Sequence, residues 1–135
     1  MRGAVAGAIA AAVWAVAEPS LGRAFGTPFS DVRLLGGIAT RGRFWPLAGV
    51  ALHVGNGAAF GRAFERLGGR GIKRGVAVAE IENLVLWPAM AIVDRIHPDR
   101  RDGTWPRLLF DPRTFSYEAM THAIFGAALG ALLDE

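Results

Sequence analysis

The chain has 135 residues, 52% of them apolar and only 20% charged, which makes it one domain, too short to divide into two independent cores. It contains no cysteine, which excludes disulfides, thiolate chemistry and cysteine-ligated metals. Its basic balance, 15 Lys and Arg against 12 Asp and Glu, does not point to nucleic acid. Lys73 is the single lysine, and the arginines flank apolar segments, as residues that snorkel to lipid headgroups do.

The first apolar segment, Gly3 to Ala17, carries no charge and no polar stripe, so lipid suits it better than water. Arg2 before it and Ala15-Val16-Ala17 at its end also fit a secretory signal peptide. The three apolar segments that follow favour a retained span. Pro19 is expected to end or kink this helix. A basic connection follows over residues 20–43, in which Ser30-Asp31 can cap a short helix lying along the membrane surface.

Trp45-Pro46 opens a second span that runs to about residue 62 and carries His53 and Asn56. After a tight loop rich in arginine, a third span covers roughly 75–93 and contains Glu80, Glu82 and Asn83. A mixed-charge connection with an interfacial Trp105 leads to the fourth span, 115–133. The expected fold is therefore all-α: an integral membrane four-helix bundle over residues 1–135, with spans near 3–19, 45–62, 75–93 and 115–133. Each is shorter than the ~20 residues a bilayer core requires, so flanking Arg and Trp must extend it. The alternative is an unusually apolar soluble bundle.

Two stretches share one pattern. His53-Val-Gly-Asn-Gly-Ala-Ala-Phe-Gly61 and His122-Ala-Ile-Phe-Gly-Ala-Ala-Leu-Gly130 both read H-x-x-x-G-A-A-x-G. Spacing by four puts each histidine and its two glycines on one helix face. Gly57, Gly61, Gly126 and Gly130 then let a neighbouring helix approach closely, the small-xxx-small mode of membrane packing. Arg2-Gly3 with Ile9 likewise recurs as Arg74-Gly75 with Ile81. The pattern points to two parallel helical-pair repeats.

In an up-down bundle the two histidines share a depth, roughly 9–12 Å into their helices. Glu18, His53, Asn56, Glu118 and His122 can converge there as an ion, proton or ligand site, since ionisable groups at membrane depth are expensive. Carboxylate and imidazole together can relay protons or hold a cation. They can instead simply lock helices together, the reading of a structural or accessory subunit. A third class uses His53 and His122 for a transition metal or a haem. Glu80 and Asn83 form a secondary polar site, with Glu80 rather than Glu82 facing inward beside Asn83 and Trp87. No hydrolase, metalloprotease or phosphate-loop signature occurs, so an enzyme is not expected.

The run Ala15-Val-Ala-Glu18-Pro19 after an apolar helix, with the closing His122-x-x-x-Gly126-x-x-x-Gly130, resembles small bacterial inner-membrane proteins of the YagU-like kind. That resemblance implies an integral inner-membrane location and a four-helix topology, and it supplies no catalytic residues. The layout is also similar to small multidrug-resistance transporters, without their motifs. The expected function is transport or ion handling in the bilayer, as a homo-oligomer or with a membrane partner protein, with no resident cofactor and no nucleic acid. The first and third connections carry nine of the Lys and Arg residues and the opposite side six, which leaves orientation open.

Overall fold

Long runs of Ala, Leu, Val and Gly satisfy their backbone groups internally as helices. The computed structural model describes residues 2–134, and among these there are helices and no strands. In chain order they are α1 (Arg2–Phe25), α2 (Asp31–Ala39), α3 (Trp45–Arg66), α4 (Ile72–Leu86), α5 (Met90–Ile96), α6 (Pro98–Arg101) and α7 (Pro112–Leu132). A 3-10 turn, Trp87–Ala89, joins α4 to α5, and another, Leu108–Phe110, precedes α7.

Helix α1 does not stop at Pro19. It continues for two further turns, with Pro19 inside it. The fixed φ of proline suits a helix; what it removes is one hydrogen bond, and here the loss is tolerated. At 24 residues, α1 is about 36 Å long. Helix α3 has 22 residues and α7 has 21, so the principal helices exceed the short lengths expected from the sequence. Among the described residues two stretches are long and apolar enough to cross a membrane, Arg2–Phe25 and the combined Ile72–Ile96, each with mean hydropathy 1.6.

The packing order is α3–α1–α7–α4, with α2 laid against the outer end of α3. Neighbours are antiparallel. Thr27 meets Thr114 near one end of the α1–α7 contact, while Trp14 meets His122 and Phe125 further along it. Among the described residues α3 and α4 do not pack against each other.

Glycine governs both hairpins. A Cβ on Gly7 would overlap the Gly57 carbonyl, and one on Gly61 would overlap the Gly3 carbonyl. In the other pair, Gly75 faces the Gly126 carbonyl and Gly130 faces the Gly71 carbonyl in the same way. Backbone therefore rests on backbone along each pair, a distance no larger residue permits. Gly75 fills the place that Gly7 fills in the first hairpin, whereas the sequence pairing had set Gly75 against Gly3. Between the hairpins lies a core of Ala6, Ala10, Ala11, Trp14, Phe125 and Leu129.

The connections do not lie flat along a surface. From the end of α1 the chain turns back, so that α2 begins at the depth of Glu18 and climbs beside α3, with Gly36 on Trp45 and Val32 on Gly49. The Glu18 carboxylate accepts hydrogen bonds from the Asp31 N–H at 2.9 Å, the Val32 N–H at 3.3 Å and the Ser30 hydroxyl. Ser30 Oγ accepts in turn from the Arg33 N–H. A carboxylate from α1 thus caps α2, at the end where a helix favours negative charge.

The third connection clamps α2 from outside. Arg33 grips Asp99 with two hydrogen bonds, Nε to Oδ2 at 2.6 Å and Nη2 to Oδ1 at 2.8 Å, and this holds the guanidinium above its usual pKa. His97 lies 3.3 Å by Nε2 from the Leu34 carbonyl and stacks on Trp105 at 4.3 Å. Trp105 is itself buried with Phe29, Leu108 and Tyr117, so it belongs to a second core and not to an aromatic belt. Trp45 stands at the same end, half-buried beneath the Arg33 guanidinium.

Four outcomes follow. Gly126→Leu should prevent folding in detergent, because α4 has no room to retreat while keeping its contacts. Gly55→Ala should raise stability by up to about 1 kcal/mol, since a Cβ there meets nothing and alanine favours helix; thermal unfolding by circular dichroism measures both. Glu18→Ala should cost about 1–3 kcal/mol by leaving the buried N–H groups of α2 unpaired, read in the same assay. Burial pushes the His97 imidazole below its ordinary pKa of 6.5, although Asp99 opposes this. The neutral ring is the folded form, so its contribution is full above pH 6.5 and is lost as pH falls below that value. Trp105 fluorescence should report loosening of this clamp under acid, and His97→Gln should remove the pH dependence.

Candidate functional site

Because α3 and α4 stand apart, a cavity of about 260 Å³ opens between them. Its floor is α1 and α7, its side walls are α3 and α4, and α2 with α5 close it at the connection end. The glycine faces decide which residues reach it. Gly57 and Gly61 turn α3 toward α1, and this brings His53, Asn56 and Phe60 to the cavity. Gly126 and Gly130 turn α7 toward α4 and carry Glu118, His122 and Phe125 to the same place.

Trp14, on α1, touches both histidines. Its ring centre is 5.0 Å from His53 and 4.6 Å from His122, edge-on in each case. His122 Nδ1 hydrogen-bonds its own helix at the Glu118 carbonyl, 2.7 Å away. Its Nε2 points across to Glu82 Oε2 at 3.4 Å. His53 meets the Ala11 carbonyl, and its Nε2 has no hydrogen-bond partner. The Asp31 carboxyl comes down from α2 to face Glu118. Asp31 Oδ2, Glu118 Oε1 and Asn83 Nδ2 are also buried without partners. The lining holds three carboxyls and two imidazoles, and no Lys or Arg.

Of the residues expected at this layer, His53, Asn56, Glu118 and His122 line the cavity, with Asn56 at its exposed mouth. Glu18 does not. It is buried one turn away with its oxygens committed to α2. Glu80 is also absent from the lining; Glu82 takes the inward position beside Asn83. The reason is the face set by Gly75 and Ala79, which presses α4 on α7 and rotates Glu82 and Asn83 inward while Glu80 turns aside. Glu82 and Asn83 thereby join the histidine layer, where the sequence placed a separate polar site on the opposite side.

Asp31 and Trp14 were not anticipated here. Asp31 reads as a surface cap beside Ser30, and only the inward turn after α1 brings it to the cavity. Trp14 did leave a signal, since a lone tryptophan in mid-helix lies far from either interface, where this residue usually sits.

The haem alternative does not fit this geometry. Two axial histidines face one another across an open gap, whereas Trp14 packs edge-on against both rings. Among the described residues no group of three or more His, Cys, Asp or Glu has a metal-holding arrangement. Compared with known proteins, the chain matches no family model, no curated protein and no solved structure. The likeness to YagU-like proteins rests on its two sequence patches alone.

Proposed function

We propose that this chain is an integral membrane protein of four spans, α1, α3, α4–α5 and α7, that handles protons or cations in a transport role through the cavity between α3 and α4. The bilayer part of this reading is supported by the exterior. Val5, Ile9, Val13 and Val16 on α1, and Ile81, Leu84, Val85 and Ile92 on α4 and α5, are all exposed large apolar side chains. Faces this apolar are suited to lipid or to a second copy of the chain. The matching glycine contacts of the two hairpins support descent from a duplicated helical pair. The resemblance in the sequence favours a bacterial inner membrane.

One observation carries the functional part: buried carboxyl oxygens of Asp31 and Glu118 face each other, with no N–H donor, in a cavity that contains no basic side chain but histidine. Carboxyls brought together repel when both are ionised, so the cluster gains from a proton or a cation. His122 can exchange a proton with Glu82 through Nε2, 3.4 Å away, while its Nδ1 stays on the Glu118 backbone carbonyl. The competing reading is an accessory subunit in which these groups only join helices. It is favoured by Glu18, whose carboxylate is consumed by the capping of α2.

Flux in liposomes separates the two. Proton or cation uptake should fall at least tenfold in Glu118→Gln and in His122→Ala. Glu80→Gln, outside the cavity, should leave it unchanged. Equal rates in all four proteins would remove the transport role and leave the accessory reading.

A further inference from the structure

From the chemistry of the cavity we infer that its ligand is a protonated primary or secondary amine carrying an apolar body about the size of an aromatic ring. This rests on the reading above that the cavity takes a ligand, and it names the class. Asp31 Oδ2 and Glu118 Oε1 are buried with no N–H donor and lie within hydrogen-bond reach of each other, so the pair must share a proton or take a cation, and Glu118 is only 2% exposed. His53 Nε2 is a third acceptor when the other ring nitrogen holds the proton toward the Ala11 carbonyl. Three acceptors lining one cavity, from α2, α3 and α7, call for N–H donors, and an ammonium group offers two or three on a single positive charge. A quaternary ammonium brings the charge and no N–H, so the buried oxygens stay unpaired at a cost. An inorganic cation finds no metal-holding cluster among the described residues and leaves the apolar walls without contact.

Those walls account for the rest of the ligand. Phe60, Trp87 and Met90 line the cavity above the carboxyls, and apolar surface dominates it. Trp14 offers a ring beside the acceptors, where a cation gains from the aromatic quadrupole. The cavity is open at the α3–α4 gap, past exposed Asn56 and Leu86. In the four-span reading that gap faces the bilayer laterally, so a lipid-soluble amine has a direct route in.

Titration calorimetry on the full chain in detergent tests this with four probes of one shape class: phenethylammonium, phenethyl alcohol, phenylacetate and benzyltrimethylammonium. Phenethylammonium should bind, and the neutral, anionic and quaternary probes should bind at least tenfold more weakly. Glu118→Gln should weaken amine binding at least tenfold. Should that variant fail to fold, Leu86→Trp blocks the mouth from an exposed position and should do the same without disturbing the core. Amine binding that survives Leu86→Trp, or an alcohol or quaternary probe bound as tightly as the amine, would overturn the assignment. Flux that depends on Glu118 without amine binding would overturn it too and leave the transport reading standing. Amine binding without flux would uphold the assignment and remove transport.

Discussion

Backbone-on-backbone contact between glycines is the constraint from which the rest of this structure follows. Gly7 on Gly57 and Gly75 on Gly126 bring two helix pairs closer than side chains permit. Close van der Waals contact along the glycine faces is what such an approach gains. Each pair is fixed along one narrow face, and the two pairs join mainly through α1 and α7. The outer helices α3 and α4 are thereby held to their partners and away from each other. The cavity is the space this arrangement leaves.

The second constraint is the need to satisfy polar groups in a place poor in water. Glu18 answers it for α2 by accepting from two N–H groups and a hydroxyl, and Asp94 does the same for the 3-10 turn before α7, accepting from the Leu108 and Leu109 N–H groups at 2.8 and 3.1 Å. Arg100 adds a bond to Asp94 and one to the Trp105 carbonyl. With these carboxylates committed, the connection end is a fitted cap in which the Tyr117 hydroxyl is a buried polar atom without a partner. The unpaired polar atoms of Asp31, His53, Asn83 and Glu118 are concentrated around the cavity. That contrast is why the cavity, and not the cap, is the place to look for chemistry.

Periodic features were legible in the sequence and contingent ones were not. The twin H-x-x-x-G-A-A-x-G stretches foretold which faces of α3 and α7 turn inward, because a spacing of four maps directly onto a helix face. Helix class and the Ser30 cap were legible for the same local reason. The role of Glu18 was not, since it depends on the chain turning back after α1, a tertiary event without a local signature. The choice between Glu80 and Glu82 was misjudged because the face was measured from Trp87. The 3-10 turn at Trp87–Ala89 breaks that register, and Gly75 and Ala79 set the true one. Pro19 misled through a rule about helix ends that a long, well-packed helix can override.

The separation of α3 from α4 has a bearing on how such a protein changes over generations. The glycines on the opposite flanks hold the helices, with Phe60 against Phe125 and Glu82 against His122 adding contacts, whereas Asn56 on one facing wall and Leu86 on the other are exposed. Replacing an exposed wall residue therefore costs the fold little and alters what the gap admits. Recognition and folding are inherited on different residues of the same helix, so the wall can drift toward a new occupant while the glycine faces stay under strict selection.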